Sequence, residues 1–339
     1  MRRFLDYYRQ FEELPPEEIS RELRSRRDAE RAVVGVPALD LSGAGWHEPP
    51  HPEVVNAATF ALRRAVNAYP DASELVGAIA RSHDVDPARV VVGHGAGELL
   101  RAALRMVAPD GEVLVAWPGW GPLPRLVHEA GATPVPVALD ELDRARPARA
   151  LVVGRPADPT GAVPRVAELT GEHWLILDEA LAGFLDDPPL LDHPRVIHVR
   201  SFSKAHAMAG LRAGAALGPA ELVARLAPSG GVSAPAQAAA SWALSPDGLA
   251  LARRRRVAAH AAHVQLAAAL AGSPVAAAPG GMPFAWLSSD AEDGPALAAR
   301  LAAAQVYVAP GRLWGDERHV RAALRGPQAI DRLAAALRS

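Results

Sequence analysis

One lysine, Lys204, stands in the whole chain, inside Ser201-Phe202-Ser203-Lys204-Ala205-His206-Ala207-Met208-Ala209-Gly210-Leu211-Arg212. Every other long cation is arginine. Arginine solvates, pairs with carboxylates and grips phosphates, but it holds its proton. A primary amine that sheds a proton and attacks a carbonyl carbon is the task arginine cannot perform. A lone lysine between serines, with Arg212 eight residues on, therefore points to a Schiff base beside a phosphate site. The competing explanation is compositional: the chain is rich in Ala, Arg and Pro and poor in Asn and Lys, as a GC-rich genome would make it. The neighbouring residues weigh against it.

The elements that position this segment follow from patterning. The 339 residues are half hydrophobic, enough for a large core in one or two domains. A formal charge of −2 gives no global basic field for nucleic acid or anionic lipid. With no cysteine there is neither a disulfide framework nor a thiolate metal site. No signal peptide and no bilayer-spanning apolar run are found, so a cytoplasmic protein is expected.

Residues 1–45 read as a charged N-terminal arm, with a helix start at Pro15-Pro16-Glu17-Glu18. Helices are expected over 52–68 and 73–83, joined by the turn Tyr69-Pro70-Asp71. Apolar runs at 89–93, 112–116, 133–137, 150–153, 174–178, 195–199 and 213–217 alternate with helical stretches. The fold class expected is α/β: a mostly parallel seven-stranded sheet covered by helices, in a large domain spanning 46–240. A long alanine-rich helix is expected from about Ala236 through Arg253–Arg256, read as solvated. A small α/β domain fills 241–339, with strands near 283–287, 306–309 and 320–324.

Ligands of a parallel α/β sheet sit at the carboxyl ends of its strands. The first run leads into His94-Gly95-Ala96-Gly97-Glu98, small residues opening a helix that suits an anion. The second leads into Trp117-Pro118-Gly119-Trp120, where an aromatic can stack on a planar ring. Pro156-Ala157-Asp158-Pro159-Thr160-Gly161 forms a rigid turn. The run at 174–177 ends in Asp178-Glu179-Ala180, and a carboxylate there can keep a pyridinium nitrogen protonated. Ser201, Ser203 and Arg212 can donate to a phosphate.

These segments, in this order, resemble the fold type I pyridoxal-phosphate enzymes of aminotransferase class I/II over roughly residues 40–335, and within them the histidinol-phosphate aminotransferase and threonine-phosphate decarboxylase group. Ser201-Phe202-Ser203-Lys204 with Gly210-Leu211-Arg212 is similar to S-x-S-K…G-L-R, Asp178-Glu179-Ala180 to the start of D-E-A-Y, Pro156 to Gly161 to P-N-N-P-T-G, and Tyr69-Pro70-Asp71 to Y-P-D. The resemblance implies that Lys204 forms the internal aldimine and then shuttles the proton, and that Asp178 pairs with the ring nitrogen. It implies that Trp120 stacks on the ring, and that Gly95, Ala96, Gly97, Ser201, Ser203 and Arg212 hold the phosphate. Tyr69 would reach the phosphate of a neighbouring subunit in a homodimer. Arg321 would grip a substrate carboxylate or phosphate. The partners implied are a small-molecule amino donor and a 2-oxo acid.

The chain departs from the pattern at one cofactor atom. The asparagine and tyrosine that donate to the ring's phenolic oxygen are Asp158 and Leu181 here. An ionised aspartate accepts and cannot donate. Losing both donors raises the expected pKa of the internal aldimine. Ala96-Gly97 replace a hydroxyl and an acid, leaving the phosphate to backbone amides. Ala309 stands where histidinol-phosphate enzymes commonly place an arginine, and Arg312 is the expected substitute.

His47-Glu48-Pro49-Pro50-His51 spells H-E-x-x-H, but its prolines prevent the helix a zinc site needs, so no metal is expected. Its place near the site mouth makes Trp46 or His47 a substrate contact instead. His260 and His263 read as surface histidines. The expected function is transamination of histidinol phosphate with 2-oxoglutarate. The alternatives are decarboxylation of a phosphorylated amino acid on the same fold, and a cofactor-binding module without turnover.

Overall fold

The computed structural model describes residues 37–186, 188–227 and 231–338. Most of the expected N-terminal arm, with its helix start, lies outside the described residues. A short strand, β1 (Leu39–Asp40), precedes helices α1 (Pro52–Ala65) and α2 (Ser73–Ser82). Seven strands follow: β2 (Val90–Gly93), β3 (Glu112–Trp117), β4 (Thr133–Ala138), β5 (Ala150–Gly154), β6 (Trp174–Glu179), β7 (Val196–Ser201) and β8 (Gly214–Leu217). They form one sheet in the order β2-β8-β7-β6-β5-β3-β4. Only β8 breaks the parallel set, running antiparallel to both β2 and β7.

The strands read as unbroken apolar runs because both faces are covered. Val113, Val115, Val152, Ile176 and Ile197 pack with Leu99, Leu100, Ala103 and Leu104 of α3 (Ala96–Val107). The alternate residues Leu114, Leu151, Val153, Leu175 and Leu177 meet Val166 and Leu169 on the opposite face. A period of two along each strand thus feeds two separate clusters. Truncating Leu104, which is fully buried, to alanine should cost about 2–5 kcal/mol. α4 (Leu123–Glu129) and α5 (Ala220–Val223) complete the helical cover of the α3 face.

The expected single long helix is two: α6 (Ala234–Ala243) and α7 (Pro246–Ala269). Ser245 sits between them in an extended conformation and its side chain accepts from the Gly248 N–H. Proline disfavours α geometry in the residue before it, so the chain turns at Ser245 and restarts at Pro246. The arginine quartet is not a uniformly solvated stretch either. Arg255 is buried and donates to the Ala205 carbonyl at 2.8 Å, and Arg256 pairs with Asp186 at 2.7 Å.

The C-terminal strands β9 (Val275–Ala277), β10 (Phe284–Ser289), β12 (Ala309–Pro310) and β13 (His319–Ala323) form an antiparallel sheet in the order β12-β13-β10-β9. Helices α8 (Gly294–Ala303) and α9 (Pro327–Arg338) pack on it. β11 (Val306–Tyr307) leaves that sheet to pair in parallel with β1. Leu41 continues the attachment: its N–H donates to the Tyr307 carbonyl and its carbonyl accepts from Ala323, both at 2.7 Å. The segment entering α1 is therefore fastened to the C-terminal sheet.

Candidate active site

Because β2, β3, β5, β6 and β7 run the same way, their carboxyl ends meet along one edge. A cleft of about 190 Å³ opens there. Ala96 and Gly97 after β2, Trp120 after β3, Asp158 after β5, Asp178 on β6, and Ser201, Ser203, Lys204 and Arg212 at and after β7 all line it. Residues separated by more than a hundred positions are brought to one wall by parallel topology alone.

One end of the cleft is built for an anion. Gly95 has φ +90°, and a Cβ there would lie 2.7 Å from Arg212 Nη2. No side chain caps the α3 N-terminus, so its first N–H groups face an incoming ligand. Glu98 is turned away from it, accepting from the His94 N–H at 2.6 Å. Arg212 adopts a left-handed backbone conformation, φ 55°. Its guanidinium is held by the Ala209 and His94 carbonyls at 2.9 and 3.4 Å and stays exposed to solvent. The Ser203 N–H donates to Ser201 Oγ at 3.1 Å. Gly214 closes the back: an added Cβ would meet the Arg200 carbonyl oxygen and Gly95 backbone, each at 2.9 Å. Phosphate would find backbone amides, two hydroxyls and one guanidinium, without the hydroxyl and acid missing at Ala96-Gly97.

The other end holds the lysine and a buried carboxylate. Burial pushes the Lys204 ammonium below the usual lysine range, against the opposing pull of Asp158 and Asp178. Burial likewise pushes the Asp178 carboxyl up to about 6, opposed by the Ala180 N–H that donates to it at 3.0 Å. Part of Asp178 borders the cleft, yet the rest is walled in by protein, and the loss of water dominates. Trp120 stands over Gly97, where an added Cβ would come within 3.4 Å of its ring. Leu181 is buried in the cleft wall and offers no donor. Asp158 does not face the cleft free: its Oδ1 accepts from Arg321 Nη1 at 2.7 Å.

Directly behind Asp178, the sequence reading missed a buried charge cluster. Side chains alternate along a strand, so Glu179 points to the opposite sheet face. It pairs with Arg155 and with Arg200 Nε at 2.9 Å, and lies 3.1 Å from His198 Nδ1. Burial alone would raise its pKa, but the His198 hydrogen bond and the charges of His198, Arg200 and Arg155 outweigh that and bring it to about 2. The signal was present: Glu179, the last residue of β6, faces Arg200, the last but one of β7, opposite charges where apolar residues are the rule.

Other expected residues fall elsewhere. Tyr69 is 95% exposed on the single chain, away from the cleft wall. Arg312 is exposed on the one-turn helix Gly311–Trp314. Trp46 does not line the cleft; it stacks on Phe184 at 5.8 Å, beneath the Arg255 guanidinium at 5.4 Å. His47 and His51 do not share a helix, because α1 begins only at Pro52 and His51 serves as its N-cap. His263 is no surface histidine: its Nε2 lies 3.0 Å from the Met282 and Phe284 carbonyls. Tyr307 is buried, with its hydroxyl toward Gln305.

A lysine, a buried carboxylate on the neighbouring strand, an aromatic wall and an anion cradle suit a phosphorylated pyridine aldehyde. The model of the aminotransferase class I and II family matches residues 40–337. An aromatic amino acid aminotransferase of Mycobacteroides abscessus is 35% identical over 74% of this chain and 79% of its own length. A histidinol-phosphate aminotransferase of Rubrobacter xylanophilus is 34% identical over 57% of this chain and 62% of its own length. The solved structure of N-succinyldiaminopimelate aminotransferase from Mycobacterium tuberculosis superposes with a TM-score of 0.79 at 28% identity, covering 92% of this chain and 96% of that one. The fold is fold type I, the cofactor is pyridoxal phosphate, and the chain belongs to the class I and II aminotransferases.

Proposed function

We propose that this cleft moves an amino group between histidinol phosphate and 2-oxoglutarate, with Lys204 as the covalent anchor and proton carrier. The observation that carries transamination is the convergence of Lys204, Asp178 and the anion cradle on one cleft. Pyridoxal phosphate, when bound, supplies a carbonyl carbon for the donor nitrogen and an electron-withdrawing ring. The chain supplies the rest. Ser201, Ser203, Arg212 and the amides of Ala96 and Gly97 hold the phosphate. Asp178, ionised and walled in, holds a proton on the ring nitrogen. Lys204, whose ammonium burial pushes below the usual lysine range, would hold the cofactor through its amine and, once a donor amine had displaced it, would carry the proton from the donor's amine-bearing carbon. Trp120 excludes water over one ring face.

The donor is the open part of this reading. Histidinol phosphate and the aromatic amino acids share a planar ring, and relatives of both kinds align with this chain. The second reading, an aromatic amino acid as donor, is favoured by the higher coverage of the Mycobacteroides abscessus relative. Mixing the pyridoxal-phosphate form with histidinol phosphate, without acceptor, tests it. Loss of the visible band with formation of the pyridoxamine form supports the proposal. An unchanged band, with reaction on L-tyrosine or L-phenylalanine, moves the assignment to the second reading. Carbon dioxide release from a phosphorylated amino acid would make the enzyme a decarboxylase, and inertness toward every donor would leave a binding module.

We also propose a homodimer. Val55, Phe60, Leu62 and Val66 expose apolar side chains along and just after α1, and the exposed Tyr69 follows them, which suits a partner subunit whose phosphate Tyr69 reaches. A solution mass twice the 35.6 kDa chain would support this. The division into domains 46–240 and 241–339, with Trp46 and Arg312 near the mouth, belongs to the same proposal. So does a cytoplasmic location. Among the described residues, no helix is long and apolar enough to cross a membrane.

A further inference from the structure

Arg321 is fixed from four sides. Its guanidinium lies 4.4 Å from the Trp314 ring and 5.2 Å from the Phe284 ring. Nη1 donates to Asp158 Oδ1 at 2.7 Å, and Nη2 donates to the Ser42 carbonyl at 3.2 Å. The side chains of Arg321 and Asp158 are only 7% and 15% exposed. The two terminal nitrogens are the fork with which arginine takes a carboxylate bidentately. Here Nη1 serves a carboxylate and Nη2 a backbone carbonyl, while the Nε–H has no partner among the described residues, so a ligand carboxylate must displace Asp158 or share the guanidinium with it.

A ligand carboxylate has two ways to reach this arginine, and each is unfavourable. If it displaces Asp158, a nearly buried aspartate loses its cation, and an uncompensated buried charge is costly. If it sits beside Asp158, two carboxylates share one guanidinium, and like charges in contact oppose joint ionisation. The stacked rings prevent Arg321 from swinging away to meet the ligand elsewhere. An uncharged group at that position meets neither obstacle.

We infer that Asp158 is a specificity-determining residue that weakens the hold of the cleft on ligands carrying a carboxylate at the amine-bearing carbon. The inference rests on the transamination reading of the same cleft and names its donor class: amines with no carboxylate on the amine-bearing carbon, such as amino alcohols and their phosphate esters, whose charge lies beyond the hydroxymethyl. The handicap applies equally to a 2-oxo acid acceptor, which this site therefore takes at higher concentration than a site with an uncommitted arginine would.

Two unreactive probes isolate the carboxylate: 3-phenylpropionate and 3-phenylpropan-1-ol, titrated calorimetrically into the cofactor-loaded wild type and Asp158→Asn. The expected result is that D158N binds the carboxylate at least tenfold more tightly than the wild type, with the alcohol unchanged. Equal carboxylate affinity in the two proteins overturns the inference. The wild type alone also decides it, should the variant fail to fold: binding the carboxylate more tightly than the alcohol is equally fatal. In parallel, L-phenylalaninol and L-phenylalanine are compared in the half-reaction, where the amino alcohol is expected to be favoured. No reaction with any donor overturns transamination, while calorimetry still reads Asp158 independently.

Discussion

Asp178→Asn should stabilise the cofactor-free protein while weakening its hold on the cofactor. Burial raises the Asp178 carboxyl from an ordinary 3.8 to about 6. That is a little over two pH units, and at ~1.4 kcal/mol per unit the ionised form costs about 3 kcal/mol of folding stability. Water in the open cleft reduces this somewhat. The sign follows from the direction. A carboxyl whose folded pKa is raised carries no cost below 3.8, where it is protonated folded and unfolded alike. The cost grows between 3.8 and about 6 and is complete above that. Asparagine has no charge to desolvate, so the stabilisation should be about 2–3 kcal/mol at pH 7.5 and under about 1 kcal/mol at pH 4. Urea unfolding of the two apoproteins at both values measures it. With pyridoxal phosphate bound, the ring nitrogen compensates the carboxylate, and the order of stability should narrow or reverse. A D178N effect independent of pH would refute the reasoning, because desolvation of a carboxylate must titrate.

Lys204→Ala should abolish turnover and the visible band of bound cofactor while leaving the thermal unfolding of the apoprotein nearly unchanged, since among the described residues no hydrogen bond of its amine supports the fold; calorimetry and absorbance check this. Glu179→Ala should cost about 3–5 kcal/mol, because Arg155 and Arg200 would stay buried without their carboxylate; denaturant midpoints report it. Glu179 has a depressed pKa, about 2, so its contribution is complete above its ordinary 4.5 and is lost as pH falls through 2, giving a wild type whose acid unfolding E179A lacks in part. Finally, the visible band of the lysine-bound cofactor should titrate at higher pH than in an Asp158→Asn variant, because the Asp158 charge favours the proton on the Lys204 nitrogen; an unmoved midpoint would dismiss this.

Most of the fold was legible because parallel strands buried on both faces leave uninterrupted apolar runs, and all seven expected strands lie within a residue or two of those observed. The antiparallel direction of β8 left no such trace: Gly214–Leu217 is apolar whichever way it runs. That these residues share one cleft was legible because they sit at strand ends, where topology rather than side-chain packing sets their positions. Contacts made between distant segments were not. Arg321 could be matched to a motif, but nothing at position 321 shows that its guanidinium meets a residue 163 positions earlier. Likewise, four consecutive arginines look like one solvated face. Helical geometry nevertheless sends Arg255 inward, over the Trp46 ring and onto the Ala205 carbonyl next to Lys204.

Asparagine and aspartate have nearly the same shape, so placing Asp158 in the cleft changes its charge by one without changing its volume. That single charge acts in two directions. Toward Lys204 it opposes the desolvation that drives the proton off, so the lysine is less easily deprotonated than burial alone would make it. Toward Arg321 it satisfies a guanidinium that stacked rings hold in place. A neutral amide would do neither, leaving the arginine open to a ligand carboxylate and the lysine proton looser. If Lys204 is the reacting amine and Arg321 the carboxylate grip, as proposed, the two are not independent, because Asp158 acts on both. Leu181 adds no donor to that end of the cleft, whose wall carries Asp158 with Arg321 bonded to it.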